Sequence, residues 1–173
     1  MINIAIIGYG YWGPNLVRNF MLTDGASVTT VCDGSADRLA AAAKVYPGIK
    51  TVADATEVFE DDTIDAVAIA TPVSSHFSLG MRALEAGKHV LIEKPIAASS
   101  AEAEQLVAEA DRRGLTLMVD HTFIYTSAVR KMHELVERGE LGELYYYDSV
   151  RVNLGLFQSD VSVIWDLAVH DLS

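Results

Sequence analysis

A single cysteine among 173 residues excludes an internal disulfide. Cys32 sits in an apolar stretch, which suits a reducing compartment, and the expected location is cytoplasmic. Basic residues are also scarce: 13 Lys and Arg against 24 Asp and Glu give a formal net charge of −11. A nucleic acid would have to find a local basic patch against that field. The closest groupings, Arg112-Arg113 and Arg130-Lys131, fall in helical patterns that solvated faces explain, so no nucleic-acid partner is expected. No apolar run approaches the roughly 20 residues of a bilayer span. Met1-Ile2-Asn3-Ile4 lacks the basic lead of a signal peptide, so the chain reads as soluble with no membrane partner. Proline is limited to four positions, and no repeat, low-complexity tract or flexible linker is visible.

Half of the residues are apolar, enough for one well-cored domain and the beginning of another. Short β-rich runs cover Ile2 to Ile7, Val28 to Cys32, Ile49 to Val52, Ala66 to Ala70, His89 to Glu93 and Leu115 to Val119. Between them, apolar positions recur at helical spacing over Trp12 to Met21, Ala36 to Tyr46, Ala55 to Phe59, His76 to Ala86 and Ala101 to Arg113. Continuous apolar strands such as Ala66-Val67-Ala68-Ile69-Ala70 belong in a parallel sheet covered on both faces. The alternation predicts a doubly wound α/β sheet over residues 1–120. Pro14 fits a first helical turn, Ser100 a helix start, and Gly87 and Gly114 helix ends.

After Asp120 the rhythm changes. A helix is expected over Ala128 to Glu137, closed by Arg138-Gly139, followed by an alternating stretch from Tyr145 to Asn153. That stretch reads as the first strand of an antiparallel α+β domain, so residues 121–173 are expected to be a connecting helix and the opening strand and helix of a second domain.

Gly8-Tyr9-Gly10-Tyr11-Trp12-Gly13 leaves an apolar strand and enters a helix, the context in which G-x-G-x-x-G binds a dinucleotide. Gly8 permits the tight turn, Gly10 admits a pyrophosphate to the backbone, and Gly13 lets helix and strand pack closely. Asp33 ends the second strand, where a carboxylate accepts ribose hydroxyls and repels a 2′-phosphate; the lesser alternative is that it merely caps the following helix. NAD is therefore favoured over NADP, with Arg38 leaving room for the phosphate. Thr71-Pro72 and Glu93-Lys94-Pro95 follow the fourth and fifth strands, where open α/β sheets bind ligands. Lys94 there can hold or polarise a hydroxyl or carbonyl oxygen. His76 begins a helix or lines the cofactor edge.

Asp166 and His170 are four residues apart and would share one face of a helix, letting the carboxylate orient an imidazole that exchanges protons near neutral pH. A surface ion pair would have the same spacing. So would a metal pair, but no ligand-rich cluster accompanies it and no metal is expected. His121 and Tyr125, past the sixth strand, are candidate substrate contacts, as are Arg151 and Asn153 on the alternating stretch.

Together, the glycine fingerprint, Asp33, Thr71-Pro72, Gly87-Lys88-His89-Val90 running into Glu93-Lys94-Pro95, and Asp166-x-x-x-His170 resemble the Gfo/Idh/MocA oxidoreductases. The resemblance implies a Rossmann domain holding NAD(P) and a second domain whose open antiparallel sheet contacts substrate and assembles homo-oligomers. It implies catalytic roles for Lys94 and His170 with help from Asp166, either of the first two serving as base in a coupled pair. The stretch from Tyr145 to Ser173 is similar to the branch oxidising the C3 hydroxyl of UDP-N-acetylhexosaminuronates in surface-polysaccharide synthesis. Free polyols such as inositols are the second implied substrate class, and a non-catalytic dinucleotide sensor or scaffold is the third reading. Members of the family are considerably longer, so the substrate domain is expected to be present only as its opening, and this chain by itself to bind cofactor with little turnover.

Overall fold

The computed structural model describes residues 1–150, 152 and 161–173, and the chain divides into two compact units, Met1–Asp120 and His121–Ser173. Six parallel strands build the first unit: β1 (Ile2–Ile7), β2 (Ala26–Cys32), β3 (Lys50–Val52), β4 (Ala66–Ile69), β5 (His89–Ile92) and β6 (Leu117–Val119). Their order, β3-β2-β1-β4-β5-β6, reverses direction between β1 and β4. That is the doubly wound arrangement, with its ligand crevice outside the carboxyl ends of the strands at the switch point.

The alternation of side chains along each strand supplies both layers of the core. Ile4 and Ile6 of β1 join Val28, Val31 and Ala68 beneath α1 (Gly13–Met21) and α2 (Ala36–Val45), with Leu16, Val17 and Ala42 from the helices. Ala5 and Ile7 point the other way, into a cluster with Val67, Ile69, Val90 and Ile92. There α3 (Thr56–Phe59), α4 (His76–Glu85) and α5 (Ser100–Arg113) contribute Val58, Leu84 and Leu106.

Helix ends follow local chemistry. Pro14 lies in the first turn of α1, where its missing N–H leaves no bond unmade. The start of α5 is set one residue earlier than Ser100: the Ser99 hydroxyl accepts from Glu102 N at 3.3 Å, while Glu102 Oε2 accepts from Ala98 N at 3.1 Å. Gly114 closes α5 in the left-handed conformation, φ +66°. Arg112 and Arg113 both pair with Glu109 on that helix, which offsets one of their two charges. Buried Lys88 donates to the Asp61 carbonyl at 2.7 Å, and His89 Nδ1 accepts from Thr116 N at 2.9 Å, which makes both structural.

In the second unit, a short 3-10 turn (Thr122–Tyr125) precedes α6 (Ser127–Glu137), and a π-helical turn (Ile164–Ala168) runs into α7 (Val169–Leu172). The expected strand is not formed over Tyr145–Val150, and the candidates Arg151 and Asn153 lie outside the described residues. A strand needs a hydrogen-bonded neighbour, and among the described residues every strand pairs within the first unit. No helix among the described residues is long and apolar enough to cross a membrane.

Candidate dinucleotide and catalytic site

The turn from β1 into α1 is shaped by two glycines that cannot be replaced without collision. Gly8 adopts φ +98°, and a Cβ there would lie 2.5 Å from the Ala70 carbonyl oxygen at the end of β4. A Cβ on Gly13 would lie 2.2 Å from the carbonyl oxygen of Gly8. Gly10 differs: its Cβ would meet only the Arg38 guanidinium, 3.7 Å away, so this face of the loop is open to a ligand. No side chain caps α1, and its first turn holds no acidic residue, leaving its N–H groups and positive dipole end without an internal anion. Of the intervening residues, Tyr9 is buried in the core, while Tyr11 and Trp12 are exposed and meet edge to face at 5.5 Å.

Beside this loop lies a cavity of about 260 Å³ lined by Gly8, Gly10, Asp33, Arg38, Ala53 and Thr71 among others. Asp33 is almost fully buried; its Oδ2 accepts from Tyr9 N at 2.7 Å and its Oδ1 from Ser35 N at 2.8 Å. The carboxylate thus ties the glycine loop to the end of β2 and holds the turn that leads into α2. Arg38 Nη1 stands 3.5 Å from Asp33 Oδ2, its side chain mostly in solvent. Cys32 lines the same cavity, and burial, then the charges of Asp33, Asp54 and Glu57, push its thiol up to about 11. These residues fit a dinucleotide: an open glycine, an uncapped helix start, and a carboxylate at the second strand end.

Further along the same sheet edge, Glu93 N donates to Ile69 O and Asp120 N to Ile92 O, both at 2.9 Å, so the two acids close β5 and β6 side by side. Their carboxyl groups hydrogen-bond each other. Burial first, then the Asp120 charge and that hydrogen bond, raise Glu93 to about 8, with Lys94 opposing. Glu93 Oε1 is buried and makes no hydrogen bond. Lys94 follows directly, half-buried, joined to Pro95 by a cis peptide bond. His76 starts α4 as expected but is 1 % exposed, with Nδ1 2.8 Å from the Pro95 carbonyl and Nε2 2.8 Å from the Thr71 carbonyl. It is enclosed by the Thr71-Pro72 and Lys94-Pro95 loops rather than lining an open edge.

In the second unit, Ile164–Ala168 winds as a π-helix and α geometry resumes at Val169, which puts Asp166 in the first and His170 in the second. His170 stacks at a tilt of 40° on Phe123, ring centroids 4.6 Å apart. His121 directly follows β6's closing acid, and Tyr125 is half exposed beneath the Arg130 guanidinium, 5.7 Å from its ring centre.

Asp120 was not singled out by the sequence reading except as a boundary. The usable signal was its position: it ends the sixth strand as Glu93 ends the fifth, and adjacent strands bring such ends together.

Residues 2–121 match the family model described as an oxidoreductase family with an NAD-binding Rossmann fold. The chain is 31% identical over 176 residues to inositol 2-dehydrogenase 2 of Saccharopolyspora erythraea, an alignment covering 99% of this chain and 52% of that protein. Among solved structures, an NAD-binding protein from Listeria innocua superposes with a TM-score of 0.88 at 31% identity, covering 99% of this chain and 52% of the other. A 3-ketoreductase from Actinomadura kijaniata, in complex with NADP and TDP-benzene, superposes with a TM-score of 0.73 at 29% identity, covering 80% and 42%. The chain spans about half the length of the curated relatives it matches.

Proposed function

The chain belongs to the Gfo/Idh/MocA family of oxidoreductases, and from that premise we propose that it forms the cofactor-binding part of an NAD-dependent dehydrogenase acting on a CH–OH group of a sugar or nucleotide-linked sugar. The observation that carries the cofactor choice is Asp33, a buried carboxylate on the cavity wall beside the open Gly10. A carboxylate there accepts ribose hydroxyls and repels a 2′-phosphate. Gly8, Gly10, Gly13, Tyr11 and Trp12 would hold the pyrophosphate side, with Thr71, Pro72 and Glu93 along the strand ends. NAD, when bound, supplies the hydride acceptor.

The chain's own groups handle the oxygen and its proton. Lys94 would donate a hydrogen bond to the substrate oxygen, and His170, oriented by Asp166, would receive the hydroxyl proton. The second unit would open the substrate domain, whose sheet would also join copies of the chain. His121 and Tyr125 are candidate substrate contacts there.

Inositol or another free polyol is a second substrate reading, favoured by the inositol dehydrogenase relative. A non-catalytic dinucleotide sensor is disfavoured because Lys94 and His170 are both present. Calorimetric titration of the chain with NAD⁺, NADH and NADPH tests the first step; tighter binding of NADH than NADPH is expected, and no binding to a folded chain would defeat the reading. Reduction of NAD⁺ by UDP-sugars or by inositols, assayed with the full-length protein, then separates the substrate classes.

A further inference from the structure

The ladder between β4 and β5 ends where Glu93 N meets Ile69 O. Beyond that point the two chains separate into the Thr71-Pro72 loop and the Lys94-Pro95 loop, which must hold position without sheet hydrogen bonds between them. His76 fills the gap. Its ring is 1 % exposed, and its two nitrogens face two carbonyl oxygens, Pro95 O and Thr71 O, each at 2.8 Å.

A carbonyl oxygen carries no proton and can only accept. A ring with one N–H would satisfy one of these oxygens and set a bare nitrogen lone pair 2.8 Å from the other. Water cannot relieve that contact, because the ring is enclosed. A ring donating from both nitrogens satisfies both oxygens, and hydrogen bonds from a charged donor are the stronger kind. The neighbouring turn is tied as well, since the Ser75 hydroxyl lies 2.7 Å from both Thr71 Oγ1 and the Pro72 carbonyl oxygen.

We infer that His76 is a positioning residue, a two-sided donor that clamps the loop after β4 to the loop after β5 and so fixes where Lys94 stands along the cofactor crevice. The inference rests on the dinucleotide reading for its consequence, though not for the clamp itself.

The clamp is tested on the unmodified chain by long-range proton–nitrogen NMR of the histidine rings at pH 7. Both ring nitrogens of His76 should carry protons, and both protons should exchange slowly with solvent. One bare nitrogen would overturn the clamp. The consequence is tested with His76→Phe, which keeps the ring shape without donors, and His76→Gln, which restores an amide donor. Circular dichroism confirms which variants fold. NADH affinity should fall about tenfold in His76→Phe and recover in part in His76→Gln, the size expected from losing one charge-assisted hydrogen bond. A folded His76→Phe with wild-type affinity would overturn the positioning role. If the wild-type chain bound no NADH, the dinucleotide reading would fail instead, and the ring spectrum would still decide the clamp.

Discussion

Glu93 and Asp120 end neighbouring parallel strands, one residue beyond the paired Ile92 and Val119, and share a hydrogen bond between two carboxyl groups. Two carboxylates cannot both be ionised at that distance without strong repulsion, so a proton remains on the pair well above the usual carboxylate range. It is placed directly beside Lys94, the residue proposed to handle the substrate oxygen.

That pair makes stability depend on pH with a definite sign. Glu93 is raised from 4.5 to about 8, so between those values the unfolded chain has released a proton that the folded chain retains. Its contribution to stability is greatest below about pH 4.5, declines as pH rises through the window, and levels off above about 8. Thermal melts at pH 5 and pH 8 should show the wild type losing more stability than Glu93→Gln over the interval. Parallel losses would show that Glu93 is not the titrating group.

The three fingerprint glycines should respond differently to alanine. Gly8→Ala and Gly13→Ala place a methyl within 2.5 Å of backbone oxygens that cannot move aside, and Gly8 adds a positive φ. Each should destabilise by about 2–4 kcal/mol in urea denaturation. Gly10→Ala meets no backbone and should change stability by less than about 0.5 kcal/mol while weakening NADH binding. If Gly10→Ala bound NADH like wild type, the cofactor would not approach this loop.

Cys32 should be inert in the folded chain. Burial and three nearby acids hold its thiol at about 11, so little thiolate exists at pH 8. Mass spectrometry after iodoacetamide treatment should find no adduct under native conditions and full labelling in denaturant. Rapid native labelling would mean that the cavity wall at Cys32 opens.

Arg38 should set the tolerance for a 2′-phosphate. Its guanidinium lies beside Asp33 and Gly10 with its side chain largely in solvent, where it can turn toward an added phosphate. Arg38→Ala should weaken NADPH binding by about tenfold and NADH binding by much less. Equal losses would indicate that Arg38 contacts a part common to both cofactors.

Local rules were enough to read most of the first unit from its sequence. Strand alternation, glycine placement and the Pro14 and Gly114 boundaries depend on sterics and periodicity within a few residues, so β1, β4, α1 and α5 were legible to within a residue or two. The π winding of Ile164–Ala168 was not legible, because a four-residue spacing fits α and π turns alike. The Tyr145–Val150 stretch has strand-like alternation, but alternation provides no hydrogen-bonding partner, and none is formed.

The sequence alone determined the doubly wound sheet and the glycine turn, because both follow from backbone sterics and from which positions must leave water. Only the tertiary structure decided that Asp120 is hydrogen-bonded to Glu93 and that His76 stands between Thr71 and Pro95. Those partners are far apart in the chain, and the order β3-β2-β1-β4-β5-β6 brings strand ends together that no local pattern connects.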